Sequence, residues 1–457
     1  MIGPQQVIDI ALGTASRLGG AADTIVLVNE RSAASLRWAN NSMTTNGAST
    51  ARQTTVISIA RQGDTARVGS LTTAEVEPSA IEGLVAASQA AAASAPEARD
   101  AAPLLSGNTA PDDWDAATLS TGPEVFSGIA DPLARAFRGS DQLYGFAQHT
   151  VETTFLATST GLRRRYAQPA GSVEINAKRD GASAWAGVGS PDFVGVSTDS
   201  LLEELSLRLG WAARRVELPA GRYETILPPS AVADMMVFLG WSMIGRGAQE
   251  GRNALAAPGG GTRVGEKLTD LPLTLYSDPA AAGLSCAPFV TATSSSETMS
   301  IFDNGMNIGR VDWIRDGVIN ALAYSRAAAD EFGAPVAVAA ENILMTGDGT
   351  ELADMIAQTE RGLLLSTLWY MREVDPTTML LTGLTRDGVY VVEDGEVTGA
   401  ANNFRFNESP LDLLRRASQA GISEQTLPRE WGDWVTRAAM PALRIPDFHM
   451  SSVSQAT

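Results

Sequence analysis

The chain has 457 residues, a length that allows two or three domains and a sizeable buried core. With 44% hydrophobic and 19% charged residues, its composition is that of a soluble globular protein and not of a disordered chain. The net charge of −18 argues against nucleic acid as a partner, because affinity for phosphates comes largely from Lys and Arg.

The sequence also argues against a membrane partner and against an internal disulfide. No apolar run is long enough to span a bilayer, and no basic-then-apolar leader opens the chain. Cys286 is the single cysteine, so no disulfide can form within the chain. We therefore expect a cytoplasmic protein.

Residues 1–95 are predicted to form an amino-terminal α+β domain. Apolar spacing over Pro4–Leu18 predicts an amphipathic helix that ends at Gly19-Gly20, and a second helix is predicted from Pro78 through Ala93. Between these helices lie four predicted strands, which are Thr24–Asn29, Ser35–Asn40, Thr54–Ala60 and Ala66–Ser70.

Two further regions follow before the carboxyl-terminal half. Residues 96–147 show no sustained hydrophobic period, so we interpret them as an irregular linker with one short helix near Pro132–Phe137. Residues 148–220 are predicted to form a middle antiparallel sheet and a helix that opens with a capping box at Ser200.

Residues 221–457 are predicted to form a sheet-rich carboxyl-terminal domain with flanking helices, so that the whole chain has an α+β fold. One helix is predicted after Pro228-Pro229-Ser230, with apolar residues continuing to Met243. A second helix is predicted over Arg315–Glu331, and the last strand near Ala442–His449.

The core of this second sheet is predicted in the stretch from Gly362 to Val397. Near-continuous apolarity over Leu363–Leu368 indicates a strand that is covered on both faces. Asp-Gly pairs at Asp387-Gly388 and Asp394-Gly395 are strong turn signals, because tight hairpin turns need residues that accept positive φ.

The same stretch carries a resemblance to a known family. Its residues are Arg361-Gly362-Leu363-Leu364, Trp369-Tyr370, Val374-Asp375-Pro376, Leu381-Thr382-Gly383-Leu384-Thr385-Arg386-Asp387-Gly388 and Glu393-Asp394-Gly395. This pattern resembles the carboxyl-terminal motif of the TldD/PmbA family, whose members are described as paired subunits of a bacterial metallopeptidase. The resemblance covers most of the chain and is patchy from about Pro96 to Ala147.

The resemblance implies a zinc site in the catalytic branch of the family. There, the helix equivalent to Ser230–Ile244 carries a His-Glu-x-x-x-His motif, and a cysteine near the end of the chain completes the site. Zinc peptidases need imidazole ligands and a glutamate that takes the proton from metal-bound water. In this chain the motif positions fall on Val237, Phe238 and Ser242. We therefore expect no catalytic residue, metal ligand or cofactor here, and zinc in a partner subunit.

The remaining histidines and the cysteine do not replace that motif. His149 and His449 lie far apart in the sequence, and neither is near a glutamate at ligand spacing. Cys286 lies in a predicted loop, far from the carboxyl terminus. We interpret the two histidines as strand residues and Cys286 as an unreactive thiol.

Candidates for a peptide-binding cleft come from the family motif itself. They are Trp369, Tyr370, Arg372, Glu373 and Asp375. These side chains either belong to the core and turn of the sheet or line a cleft for peptides, and the sequence leaves both interpretations open.

The sequence thus indicates the non-catalytic, TldE/PmbA-type branch of the family. This resemblance implies a heteromer with a TldD-like, zinc-bearing subunit that degrades unfolded peptides, and it allows a homodimer when the chain is made alone. Two alternatives stay open: an independent regulatory binding protein of the gyrase-modulator kind, and a hydrolase with an unrecognised site.

Overall fold

Two β-sheets with flanking helices form the architecture of residues 2–455, which a computed structural model describes. The elements of the first half are α1 (Pro4–Leu18), β1 (Asp23–Ala39), β2 (Ser42–Gln62), β3 (Thr65–Thr73), α2 (Pro78–Ser94), a 3-10 turn (Pro123–Phe126), α3 (Ser127–Ala136), β4 (Gln142–Thr158), β5 (Arg163–Arg179), β6 (Ala182–Gly189) and α4 (Thr198–Trp211).

The second half adds shorter strands and helices around one large sheet. Its elements are β7 (Arg215–Val216), β8 (Gly221–Leu227), α5 (Pro229–Ser242), α6 (Gly245–Gln249), β9 (Leu275–Ser277), a 3-10 turn (Ile301–Asp303), β10 (Val311–Arg315), β11 (Val318–Ile319), α7 (Arg326–Phe332), β12 (Ile343–Met345), α8 (Leu352–Ala357), β13 (Arg361–Asp375), β14 (Leu380–Glu393), β15 (Glu396–Ala401), β16 (Phe404–Glu408), α9 (Pro410–Arg416), β17 (Gln419–Thr426) and β18 (Ala438–Val453). The predicted α+β fold class is confirmed.

The amino-terminal sheet is antiparallel, with strand order β3-β2-β1-β4-β5-β6. The strands before and after residues 96–147 therefore belong to one sheet. Side chains alternate across it, so Val26 and Val28 of β1 pack beneath α1 and α2, while Ile25 and Leu27 face the second half of the chain. The division of the chain at residues 95, 147 and 220 stays a prediction.

Some strands are longer than the sequence pattern indicates. The predicted strands Thr24–Asn29 and Ser35–Asn40 are parts of the single strand β1, which continues through the small and polar residues between them. The predicted short helix near Pro132–Phe137 begins earlier, at Ser127, and includes Pro132.

The carboxyl-terminal sheet has the path β11-β10-β9-β12-β18-β8-β13-β14-β15-β7, with β16 and β17 joined to its side. Strand β13 lies between β8 and β14, and each residue of its Leu363–Leu368 run is at most 4% exposed. The prediction of a strand covered on both faces is confirmed. Helix α5 packs into the same core, against β13 and β18.

The predicted helix over Arg315–Glu331 is wrong. A tight hairpin joins β10 to β11 through Asp316 and Gly317, whose φ angles are 49° and 76°. This pair of left-handed residues is the Asp-Gly turn chemistry that favours two-residue hairpins. Helix α7 begins only at Arg326, after the hydroxyl of Ser325 accepts a hydrogen bond from the amide of Ala328.

The two Asp-Gly pairs of the central stretch behave differently. Asp394-Gly395 forms the predicted hairpin between β14 and β15. Asp387-Gly388 instead lies inside β14, where both residues have positive φ and form a bulge opposite Ser366.

Among residues 2–455, no helix has the length and apolarity needed to cross a bilayer.

Candidate functional site

Helix α5 carries the positions where the family resemblance places metal ligands. Pro229 lies in its first turn, where a backbone N–H has no partner within the helix, so the missing N–H of proline costs no hydrogen bond. The helix is apolar on nearly all sides, as is typical of a helix enclosed by the core. Its buried residues are Ala231, Val232, Ala233, Asp234, Met235, Met236, Val237 and Leu239.

None of the three motif positions offers an atom that suits zinc. Val237 is 2% exposed, and the partly buried ring of Phe238 lies 6.4 Å from that of Trp431. The hydroxyl of Ser242 donates a 2.9 Å hydrogen bond to the carbonyl oxygen of Phe238. Protein zinc sites use thiolate, imidazole or carboxylate ligands, so these residues do not fit the metal.

His149 and Cys286 have other surroundings. The Nδ1 atom of His149 lies 2.7 Å from the hydroxyl of Thr121, and its Nε2 donates to the carbonyl of Pro191, also at 2.7 Å. Both ring nitrogens are therefore engaged in hydrogen bonds within the amino-terminal half. Cys286 is 1% exposed, and burial raises the pKa of its thiol to about 11, which keeps it protonated at neutral pH. Among residues 2–455, no three His, Cys, Asp or Glu side chains form a metal-binding group.

A cavity of about 520 Å³ opens beside α5, next to Val237. One wall is the face of the amino-terminal sheet that α1 and α2 leave uncovered, with Gln148 and Thr150 on β4 and Gln168 on β5. The other wall comes from the end of α5 and from the segments 339–343 and 433–437. The two halves of the chain therefore enclose the cavity between them.

The polar groups of this cavity are held by specific hydrogen bonds. Gln168 donates through Nε2 to the carboxylate of Glu341 at 2.6 Å. Arg437 donates through Nε to the carbonyl of Ser285 at 2.9 Å and through Nη2 to the carbonyl of Pro169. Burial lowers the pKa of the Arg437 guanidinium from its usual range.

A buried carboxyl group connects α5 to the segment that follows β17. Asp234 is fully buried, its Oδ1 accepts a 2.9 Å hydrogen bond from the amide of Glu430, and its Oδ2 has no hydrogen-bond partner. Burial raises the pKa of Asp234 well above its usual range, and the nearby charge of Glu430 adds to this. The Glu430 carboxylate accepts from the amides of Tyr370 and Met371 at 2.8 and 3.0 Å. Asp234 and Glu430 thus join α5 to β13 at Tyr370 and Met371, where the pairing of β13 with β14 shifts register.

The five cleft candidates all lie on β13, and none of them lines the cavity between the two halves. Tyr370 is 54% exposed with φ of 55°, and the guanidinium of Arg372 lies 4.4 Å from its ring centre. Trp369 contacts the guanidinium groups of Arg386 and Arg429 at 5.5 and 5.3 Å.

The last two candidates, Glu373 and Asp375, lie at the carboxyl-terminal end of β13. Asp375 accepts hydrogen bonds from the hydroxyl of Thr377 at 2.7 Å and from the amide of Thr377 and the hydroxyl of Thr378, both at 2.9 Å, and these bonds lower the pKa of its carboxyl group. Partial burial, and then the charge of Asp375, raises the pKa of Glu373. A peptide-binding role for the five side chains stays a prediction.

The residues that line the cavity and the buried carboxyl beside it were not predicted from the sequence. They are Asp234, Trp241, Glu341, Asp433, Trp434 and Arg437. One signal was available, because a lone aspartate in the apolar run of α5 is costly to bury unless it has a specific role. The tryptophans at positions 431 and 434, within a short polar segment, were a second signal.

Replacing Phe238 with alanine should lower the free energy of unfolding by about 2 kcal/mol, below the 3–5 kcal/mol typical of a fully buried ring. The reason is that Phe238 is only partly buried against Trp431. Thermal unfolding measures the change, with Val374→Ala as the control, because Val374 is 58% exposed. An unchanged melting temperature for Phe238→Ala would show that the ring contributes nothing to the core.

The fold is that of an α+β protein in which an antiparallel amino-terminal sheet is followed by a larger mixed sheet that packs against the apolar helix α5. The family profile described as PmbA/TldA metallopeptidase C-terminal domain matches residues 220–452. The chain therefore belongs to the PmbA/TldD metallopeptidase family. Among curated proteins, no sequence gives a significant match.

Solved structures share the fold over nearly the whole chain. TldE from Thermococcus kodakarensis superposes with a TM-score of 0.78 at 16% identity, covering 96% of this chain and 99% of that one. A protein named as a proposed modulator of DNA gyrase from Thermotoga maritima gives 0.76 at 13% identity, covering 97% and 99%. Another of that name, from Bacteroides thetaiotaomicron, gives 0.75 at 15% identity, covering 99% and 100%.

Proposed function

We propose that this chain is the non-catalytic, TldE-type subunit of a heteromeric zinc metallopeptidase that degrades or processes unfolded peptides. The zinc and the catalytic glutamate then belong to a TldD-like partner, and this chain needs no cofactor of its own. We also propose a cytoplasmic location, with neither nucleic acid nor membrane among its partners.

The chemistry of helix α5 carries this proposal. Val237 and Phe238 are apolar where a water-activating site needs imidazole and carboxylate groups, and the Ser242 hydroxyl is engaged by the helix backbone. A cavity next to this helix has hydrogen-bonded polar groups on both of its walls. A chain without metal ligands that keeps such a cavity is suited to binding peptides or contacting a catalytic partner.

Assembly explains why a chain without ligands keeps the family fold. Paired subunits of one fold usually meet through equivalent surfaces around a pseudo-twofold axis. An obligate contact of this kind buries more than about 2,000 Å² and is apolar at its centre. The same surface would support a homodimer when the chain is made alone.

The decisive experiment combines metal analysis with reconstitution. We expect the isolated chain to hold no stoichiometric zinc and to cleave no unfolded peptide. Mixing it with a relative that carries His-Glu-x-x-x-His should give a larger species by size exclusion, and peptide cleavage should appear in that species. The control is the same relative with its motif histidines replaced by alanine, which should assemble without activity.

Two results would contradict the proposal. One is tightly bound zinc in the isolated chain that disappears in His149→Gln or His449→Gln. The other is a zinc-bearing relative that is fully active alone and never co-elutes with this chain. The second result would favour an independent regulatory role, the alternative that the names of two structural relatives suggest.

A further inference from the structure

The cavity beside α5 has an aromatic rim that is unusually exposed. Trp434 is 78% exposed and Trp241 is 44% exposed, and both line the opening. The Trp241 ring is held by an edge contact to Trp431 at 5.0 Å. Exposed tryptophans at the mouth of a cavity are typical of surfaces that bind a ligand or partner, because they would otherwise be buried.

Carboxylates lie beside these rings. Glu341 and Asp433 are exposed and line the same cavity. Beneath them on β4, Glu152 has a raised pKa, mainly because it is partly buried and then because the charge of Glu341 is near. Repulsion between neighbouring carboxylates is relieved when a cation binds between or beside them.

The arginines of the cavity leave this end available to a cation. Two of the Arg437 nitrogens, Nε and Nη2, are engaged by the carbonyl oxygens of Ser285 and Pro169. Arg31 lies where the cavity joins a second one of about 330 Å³, and it lines both. Arg437 is 7% exposed and Arg31 is exposed, so the solvent-accessible positive charge among these two arginines belongs to Arg31 at the junction of the two cavities.

The second cavity extends the first into a groove across the face of the amino-terminal sheet. The two share Gln148 and Thr150 as well as Arg31, and the extension is floored by small side chains, among them Ala33 and Ser49. Small residues leave room for a backbone, and the side-chain amide of Gln148, which lines both cavities, carries hydrogen-bond donors and an acceptor that suit a peptide group. This shape suits an extended chain of a few residues.

We propose that this groove binds a short extended peptide and that its tryptophan-lined end holds a lysine or arginine side chain. The cation would lie against the rings of Trp241 and Trp434, with the carboxylates of Glu341 and Asp433 beside it. The peptide class follows from the proposed function, whereas the preference for a basic side chain comes from the rings and carboxylates of the cavity.

The test uses the isolated full-length chain and three capped peptides, with the central residue of Ala-Ala-X-Ala-Ala as lysine, norleucine or glutamate. Acetyl and amide caps leave the central side chain as the only difference in charge. Tryptophan fluorescence and calorimetry follow binding. We expect the lysine peptide to bind about tenfold more tightly than the norleucine peptide, the scale of one desolvated cation–π contact.

Variants then locate the site. The single variant Trp434→Leu should reduce the preference for lysine over norleucine to about twofold, because only the carboxylates and Trp241 then contact the cation. The double variant Glu341→Gln with Asp433→Asn should also reduce it to about twofold, because only the two rings remain. The matched control is Glu396→Gln, which removes an exposed carboxylate on β15 and should keep the full preference. Circular dichroism and melting temperature confirm that each variant is folded.

Three outcomes would overturn the inference. They are equal binding of lysine and norleucine peptides, tighter binding of the glutamate peptide, and no binding of any peptide to the isolated chain. None of these bears on the partner proposal, because zinc content and reconstituted activity decide that proposal separately.

Discussion

Replacing Arg429 with methionine should lower the free energy of unfolding by about 3–5 kcal/mol, the cost typical of leaving one member of a buried ion pair unpaired. Arg429 forms an ion pair with Asp387, and their side chains are 8% and 5% exposed. Arg386 also approaches Asp387, at 3.8 Å, but it is 42% exposed and compensates the charge only in part.

The effect should be large because Arg429 also holds the two sheets together. Its guanidinium lies 5.3 Å from the ring centre of Trp185 on β6 and 5.3 Å from that of Trp369 on β13. Its Nη2 donates to the side-chain oxygen of Asn176 on β5 at 3.3 Å. Methionine would keep part of the packing but neither the charge nor the hydrogen bonds.

Thermal and denaturant unfolding measure this loss of unfolding free energy. Two further variants show whether it comes from the unpaired charge of Asp387. Arg372→Met is the matched control, because Arg372 is 56% exposed and its 3.4 Å contact with Glu430 is expected to contribute at most about 1 kcal/mol. Adding Asp387→Asn to Arg429→Met removes the unpaired charge while tolerating the positive φ at that position. The double variant should therefore be more stable than the single one. A loss below about 1 kcal/mol in Arg429→Met would mean that Asp387 is stabilised by other groups.

Local patterns in the sequence predicted much of the fold. The apolar period of Pro4–Leu18 corresponds to α1 with the same bounds, and Leu363–Leu368 is a strand buried on both faces. These predictions succeed because the spacing of apolar residues along the chain directly indicates whether one face of a helix, or both faces of a strand, are buried.

Turn chemistry was more ambiguous than apolar spacing. Asp316-Gly317 and Asp387-Gly388 are the same dipeptide, yet the first closes a hairpin and the second forms a bulge within β14. Both outcomes use residues with positive φ. The dipeptide therefore indicates the local backbone conformation, but it does not indicate whether the flanking strands pair with each other or with a third strand. The prediction of a helix over Arg315–Glu331 is wrong because the Asp316-Gly317 turn closes a hairpin between β10 and β11, and the helix begins only at Arg326.

The cavity could not be predicted from the sequence for a different reason. Its walls come from segments hundreds of residues apart, such as Arg31 on β1, Glu341 before β12 and Trp434 before β18. No local period relates these positions, since only the packing of one sheet against the other half brings them together. The apolar character of Val237 and Phe238, by contrast, is visible in the sequence because both residues belong to one local helix.

The stability of the wild-type protein should fall, relative to that of Asp234→Asn, as pH rises above about 4, the usual pKa of an aspartate. Burial holds the pKa of Asp234 well above that value in the folded protein. Below the unfolded pKa both states carry the proton, so the group has no effect on stability. Above it the unfolded state releases the proton first, and the folded state loses about 1.4 kcal/mol per pH unit until the folded pKa is reached.

Asparagine removes this titration while keeping an oxygen that can accept from the amide of Glu430. Its extra N–H₂ has no partner at the position of Oδ2, which should cost about 1–3 kcal/mol at every pH. We therefore expect the variant to be less stable than wild type at pH 4 and to overtake it at higher pH.

Denaturant unfolding from pH 4 to pH 8 measures the difference between the two proteins. Other carboxyl groups with raised pKa values, such as Glu152, Glu174 and Glu408, titrate in both proteins and cancel in that difference. Asp131→Asn is the control, since Asp131 is exposed and should give a profile parallel to wild type. Parallel profiles for Asp234→Asn and wild type would contradict the prediction and would show that the Asp234 carboxyl is ionised or hydrated in the folded protein.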